Sequence, residues 1–203
     1  MMAEYERGTN RERILEAAIA LFSERGFSTV SQREIAAAVG IKAASIYNHF
    51  QSKEAILEAI VERLSRGLED QVRPAFEPEE LISLRAYLNG IASASDAFFL
   101  RSEYLRLGQI IMREQFYNAT VRRMLYEMMI RRPRESMCAY FARLMDAGMM
   151  QKGDSMFAAK EYHAFFVYGF YEDALSFGIR VDSAERTQTE QAHAERFIEN
   201  WEL

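Results

Sequence analysis

Residues 31–50 read SQREIAAAVGIKAASIYNHF. The spacing predicts a helix, a tight turn and a second helix. Ser31 and Glu34 stand at capping-box spacing. The Ser31 hydroxyl is placed to accept from the backbone N–H of residue 34, and the Glu34 carboxylate reaches back to the N–H of residue 31. Ile35, Ala38 and Val39 follow as an apolar stripe at helical spacing. Gly40 then suits a C′ position, where φ is positive and a Cβ is unfavourable. Ile41 is placed to pack beneath the turn. In the second helix Ile46 and Phe50 form a buried pair at i, i+4. The other side of that helix shows Lys42, Ala44, Ser45, Tyr47, Asn48 and His49.

A short helix with small residues at its start and a face of hydrogen-bonding groups suits entry into the B-DNA major groove by its N-terminal end. The wording of the chain is more specific than its spacing. Phe22…Arg25-Gly26-Phe27…Ile35-Ala36…Gly40-Ile41…Ser45-Ile46-Tyr47-Asn48-His49-Phe50…Ser52-Lys53-Glu54 closely resembles the TetR family of bacterial transcriptional repressors. The motif lies in roughly the first third of the chain. Beyond it, helix pattern and length carry the resemblance.

Long helical windows without persistent strand-like alternation predict an all-α fold, and the resemblance implies its arrangement. A three-helix helix-turn-helix DNA-binding domain, residues 8–68, is joined through a fourth helix to a larger helical domain, residues 69–203, for ligand binding and dimerisation. The implied function is transcriptional regulation. A homodimer represses by binding a palindromic operator in double-stranded DNA, and a small apolar or amphipathic effector releases it. No cofactor is implied.

The family pattern also suggests roles for single residues. Arg7, Arg11 and Arg13 lie near the expected phosphate backbone, Arg11 foremost. Thr29 and Ser31 meet phosphate at the start of helix two, where N-terminal N–H groups favour anions. Arg33 projects from the same turn, placed to fork onto guanine O6 and N7. Its other reading is a surface ion pair with Glu34 or another carboxylate. Lys42, Ala43, Ala44 and Tyr47 face the groove, the alanines against thymine methyls. Ser45, Tyr47 and His49 hold phosphates. Many family members carry Ser where Lys42 stands and Gly where Ala44 stands, so Lys42 gives up a good N-cap. Ser52 reads as the N-cap of helix four. Lys53 in its first turn opposes the helix dipole. An anion at that helix start removes the conflict, and the family places a phosphate there.

Composition sets the remaining bounds. The chain has 203 residues, 49% of them hydrophobic, with ten Gly and three Pro. That suffices for a substantial core with few breaks. The net charge of −5 is unevenly spread: residues 1–53 hold seven Lys/Arg against six Asp/Glu, and the rest is acidic. Phosphate binding depends on where positive groups point, not on the total. A single cysteine, Cys138, excludes an intrachain disulfide framework and fits a reducing cytoplasm. No apolar leader and no run long enough to span a membrane is present in the sequence, so a cytoplasmic protein is expected.

After Pro74 and Pro78, the expected domain junction, helices are predicted at about 79–96, 98–116, 118–131, 133–147, 155–178 and 184–201. Pro133 suits the first turn of a new helix. Eight of the eleven methionines lie between residues 112 and 150. Met lines adaptable cavities well. Tyr104, Met112, Phe116, Met128, Phe141, Met145, Tyr162 and Phe166 are therefore candidate ligand contacts, with ordinary core filling as the other reading. Residues 162–171, YHAFFVYGFY, are apolar or aromatic on every side except at His163. Such a helix is buried all round. One side is expected to face its own core and the other a second subunit, with Gly169 allowing close approach. Phe166, Gly169, Phe170, Phe197 and Trp201 are the candidate dimer contacts. A central helix within a larger monomer is the alternative.

Two other function classes are weighed. An enzyme needs convergent groups, and Glu161 and His163, two apart, do not share a helix face. His49 has no partner at ligand or triad spacing, so neither a catalytic nor a metal site is expected. A ligand-independent DNA-binding adaptor that recruits a protein partner remains the second reading.

Overall fold

The computed structural model describes residues 9–99, 101–175 and 183–203. All regular elements among them are helical, apart from one isolated antiparallel bridge between Met150 and Glu202. They are α1 (Asn10–Arg25), α2 (Gln32–Val39), α3 (Ala43–Ile46), α4 (Lys53–Gln71), α5 (Arg73–Phe76), α6 (Leu84–Phe99), α7 (Ser102–Glu114), α8 (Ala119–Tyr126), a π-helical segment (Glu127–Arg131), α9 (Arg132–Asp146), α10 (Ser155–Leu175) and α11 (Ser183–Trp201). No helix among the described residues is long and apolar enough to cross a membrane.

The chain divides into two compact units. One comprises Met1–Gly67 with Phe99–Leu125, the other Leu68–Phe98 with Tyr126–Leu203. In the first, Ile14, Ala17, Ala18 and Phe22 of α1 meet Ile35, Val39, Ile46 and Phe50, all buried. Ile56, Leu57, Ile60, Val61 and Leu64 of α4 are buried too. α7 packs along α1 in the same unit. Arg63 of α4 pairs with Glu16 of α1 and, at 2.6 Å, with Glu103 of α7. The Arg113 guanidinium donates to the Ser23 carbonyl at 3.1 Å. Packing thus groups α7 and most of α8 with the helix-turn-helix.

The second unit is built on stacked rings. Tyr87 lies over Tyr140 with centroids 3.9 Å apart, and Phe141 reaches Phe197 at 5.7 Å. Phe197 also meets Tyr162 at 5.1 Å. Gly153 runs so close to Trp201 that a Cβ there would stand 2.9 Å from the indole ring.

One helix start differs from expectation. The helix expected from residue 79 starts at Leu84, where the Ser83 hydroxyl accepts from the N–H of Ala86 at 3.2 Å. The preceding backbone is served by α9 instead. The Tyr140 hydroxyl accepts from the N–H of Ile82 at 2.8 Å, and Arg143 donates to the Glu79 carbonyl at 3.3 Å. Pro133 stands in the first turn of α9 as expected, but no break separates α9 from the helix before it. α8 runs through the π segment directly into α9, with the N–H of Arg132 bonded to the carbonyl of Glu127. A proline inside a helix lacks the N–H and clashes with the carbonyl four residues back, and a widened turn relieves that. Arg131 holds Glu127 at 2.6 Å and Glu135 at 2.9 Å beside it. Arg132 pairs with Glu69.

Candidate nucleic-acid interface

The starts of α1, α2 and α4 are capped by their own neighbours. Thr9 caps α1 with Glu12 returning the bond at 3.0 Å. Ser31 caps α2 as its spacing predicts: the Ser31 hydroxyl accepts from the N–H of Glu34 at 3.3 Å, and the carboxylate accepts from the Ser31 N–H and hydroxyl, both at 2.8 Å. Arg25 adds an ion pair at 2.7 Å. The Ser31 N–H, its hydroxyl and Arg25 together hold the Glu34 carboxyl down to about 2. It stays ionised at any pH where duplex DNA is intact, and its charge is shared among these donors. The box uses two of the orphan N–H groups of a helix start. Those of Gln32 and Arg33 have no partner among the described residues.

The turn is a left-handed glycine closure. Gly40 sits at φ 75°, where its N–H reaches Ala36 and Ala37, and the N–H of Ile41 bonds to Ala36 at 3.0 Å. A side chain at that φ is strained. Arg13 donates to the Val39 carbonyl at 2.8 Å, closing the C-terminal end of α2. α3 is one α-helical turn. It continues through 3.0 and 2.9 Å bonds from the N–H groups of His49 and Phe50 to Ile46. Lys42 stands at its N-cap position without a side-chain bond, as the loss of Ser there predicts.

Arg33, Lys42, Ala44, Tyr47, Asn48 and His49 are exposed, Tyr47 at 57%. The side chains of this group have no hydrogen bond or ion pair among the described residues. Ala43 and Ser45 are half-buried beside them. The carboxylate next to Arg33 is taken by Arg25, which leaves Arg33 free for an outside partner.

Other residues singled out in the sequence are engaged within the chain. The Arg11 guanidinium lies over the Phe50 ring at 4.8 Å, exposed on its other side. The Thr29 hydroxyl donates to the Arg25 carbonyl at 2.7 Å. The Lys53 ammonium donates to the carbonyls of Phe27 and Val30, at 2.7 and 2.9 Å. The Ser52 hydroxyl caps α4 by accepting from the N–H of Ala55 at 3.1 Å. Arg7 lies outside the described residues. Sequence reasoning missed the bonds of Arg25, Arg13 and Lys53. The one signal was Lys53 itself, a cation at the wrong end of a helix.

The candidate ligand contacts are distributed over both units. Tyr104, Met112 and Phe116 belong to the first, where Tyr104 is buried and Phe116 is 69% exposed. Met128, Phe141, Met145, Tyr162 and Phe166 belong to the second. There Phe141, Met145 and Tyr162 are buried, and Tyr162 touches Phe166 at 5.1 Å. Of the candidate dimer contacts, Phe166, Gly169 and Trp201 are half-buried. Phe197 is buried among the rings of its own unit. The Phe170 side chain lies outside what the structure describes. α10 turns Phe157, Ala164, Tyr168 and Tyr171 outward, Tyr168 at 65% exposure, with Lys160, Glu161 and Glu172 exposed on the same side.

Comparison with known proteins supplies the context. Residues 14–60 match the model of bacterial regulatory proteins of the tetR family. Residues 86–199, more than half of the chain, match the model of the AefR-like transcriptional repressor C-terminal domain. The chain belongs to the TetR family of transcriptional regulators. The HTH-type transcriptional regulator UidR of Escherichia coli K12 is 41% identical over 68 residues, 34% of this chain and 32% of UidR. The match thus spans about a third of that relative's length. Over the whole fold, a TetR-family transcriptional regulator from Pseudomonas syringae has a TM-score of 0.73 at 25% identity, covering 96% of this chain and 97% of that one. SmeT, the repressor of the Stenotrophomonas maltophilia multidrug efflux pump SmeDEF, in its complex with triclosan, has a TM-score of 0.72 at 19% identity. That alignment covers 95% of this chain and 91% of SmeT. TetR-family membership makes this chain a DNA-binding transcriptional regulator, of a family that acts by binding DNA and not by catalysis.

Proposed function

We propose that this TetR-family regulator represses transcription by binding a palindromic operator as a homodimer. The observation that carries the reading is the exposed, unpaired face of Arg33, Lys42, Ala44, Tyr47, Asn48 and His49. In the free protein water serves the polar members of this face, and duplex DNA can exchange that water for phosphate oxygens and base edges, with thymine methyls for Ala44. In this reading Arg33 reads a guanine, and Lys42, Ala43, Ala44 and Tyr47 enter the groove. Arg11, Ser45, Tyr47 and His49 hold phosphates, joined at the start of α2 by Thr29, Ser31 and the free N–H groups of residues 32 and 33. Selection of binding sequences from a random duplex pool tests it. An inverted repeat is expected, with half-site centres about 34–36 Å apart or a multiple of that. Arg33→Ala should then cost about 1–3 kcal/mol and relax preference at one base pair. Recovery of no inverted repeat, or equal weakening of scrambled DNA by Arg33→Ala, would sink the assignment.

The dimer is proposed to form through α10 and α11, because the exposed rings of Phe157, Tyr168 and Tyr171 on α10 are costly to leave in water. An apolar or amphipathic effector is proposed for the second unit, whose interior is ring-rich. SmeT, of the same fold, is described in complex with triclosan. An effector releases DNA only if it binds the DNA-incompetent arrangement better, and by linkage DNA must weaken the effector by the same factor. Triclosan affinity measured with and without the selected duplex is a first test. An equal affinity in both cases would remove triclosan as an inducer. If no apolar compound in a broad screen binds, the ligand-independent adaptor becomes the better reading.

A further inference from the structure

Lys53 is the first residue of α4, and its ammonium is turned back onto the segment that joins α1 to α2. Nζ lies 2.7 Å from the carbonyl oxygen of Phe27, 2.9 Å from that of Val30 and 3.4 Å from that of Ser28. It also stands 4.3 Å from the centre of the Phe27 ring. A lysine ammonium has three N–H donors and no acceptor. Three carbonyls therefore account for all of them, the one to Ser28 being long. Three carbonyl dipoles that converge without a cation repel one another, so the ammonium is what lets residues 27–30 fold this way. That segment ends at Ser31, the N-cap of α2. Its conformation sets where the first turn of α2 lies, and with it Arg33 and the free N–H groups of residues 32 and 33.

We propose that Lys53 serves DNA binding as a positioning residue: it holds residues 27–30 so that the first turn of α2 meets the duplex, and it touches no phosphate itself. The proposal rests on the DNA-binding reading above and opposes the phosphate role that the family pattern suggests for this lysine. The two roles differ in what removal of the charge does. A phosphate contact releases counterions on any sequence. Loss of a positioning residue removes no phosphate-bound charge, so it leaves the salt slope alone and costs most where Arg33 must meet its base.

The test is Lys53→Met in the full-length chain, titrated with the selected duplex and with poly(dI·dC) over a range of salt. Affinity for the selected duplex should fall about tenfold or more, affinity for poly(dI·dC) should fall less, and the salt slope on both should stay as in the unaltered protein. If both duplexes weaken alike and the slope flattens by about 0.9 for each lysine removed, Lys53 is a phosphate ligand and the proposal fails. It fails equally if thermal stability drops but the folded variant binds both duplexes as before. Should Lys53→Met not fold, the unaltered protein labelled with 15N-lysine decides the matter. One ammonium signal protected from exchange is expected, unmoved by the selected duplex. A signal that shifts and couples to 31P in the complex overturns the proposal. Absence of any duplex from the selection would remove the parent reading instead, a result distinct from either of these.

Discussion

The helix-turn-helix and the ring-stacked second unit are held together over different distances along the chain. Within residues 9–53 the structural bonds are short in sequence. The capping boxes at Thr9 and Ser31 join residues three apart, and the longer ties, Arg13 to Val39 and Lys53 to Phe27, join residues 26 apart. In the second unit, Tyr140 reaches 58 residues back to Ile82, Arg132 reaches 63 to Glu69, and Arg85 pairs with Glu195 across 110. A bond between near neighbours leaves its mark in spacing. A bond across 58 residues leaves none, because any tyrosine on any helix fits the same pattern. The polar accounts differ as well. The first unit leaves polar groups unpaired where water and DNA reach them, and buries two more, Arg13 Nε and Gln32 Nε2, without a partner among the described residues. In the second unit the unpartnered buried atoms include the Nδ1 atom of His163 and the hydroxyl of Tyr162, whose ring stacks on that of His193.

The strongest way to break this contrast is at α10. Among the described residues, a Cβ at Gly169 meets nothing within 4 Å. If α10 forms the proposed interface, Gly169→Glu should disturb that interface and not the fold of the protomer, because the charge would be buried only when a second copy covers it. Sedimentation should show a monomer, and operator affinity should fall about a hundredfold or more through lost bivalency. A dimer of unaltered stability would take this part of α10 out of the interface.

The buried histidine gives the next largest effect. Burial, with the charge of Arg134 adding to it, pushes His163 down to about 4 from the ordinary 6.5. The unfolded chain then binds a proton that the folded chain refuses. Stability from this site is complete above about pH 6.5 and is lost as pH falls toward about 4, by roughly 3 kcal/mol at most. Urea unfolding at about pH 7 and about pH 4 should show that loss, and His163→Gln should lessen it. An undiminished loss in the variant would assign the acid sensitivity to other groups.

A pair of tyrosines sharpens the comparison at the smallest scale. Tyr140→Phe strips the Ile82 N–H of its acceptor and should cost about 1–2 kcal/mol. Tyr162→Phe removes a hydroxyl that has no partner, and should be neutral or stabilising by about 1 kcal/mol. Denaturant melts of the two variants give both numbers. Equal losses would mean that the Tyr162 hydroxyl is satisfied after all, by ordered water or by a ligand.

By itself the sequence determined the elements whose causes are local. The all-α class follows from helical periodicity, and the start and stop of α2 from Ser31, Glu34 and Gly40. The Ile46–Phe50 pair and the exposed face of α3 follow from spacing alone, since a helix of known phase has a known outside. The tertiary structure alone decided which charged groups are spent within the chain. Arg25 takes Glu34 and thereby frees Arg33, and Lys53 turns onto three carbonyls. It also decided that α7 packs with α1, that Pro133 is absorbed by a π turn, and that Phe197 lies inside its own unit. Periodicity states which face of a helix is apolar, but not which other face it meets. A long cationic side chain reaches several acceptors from one backbone position, and only the folded chain selects among them.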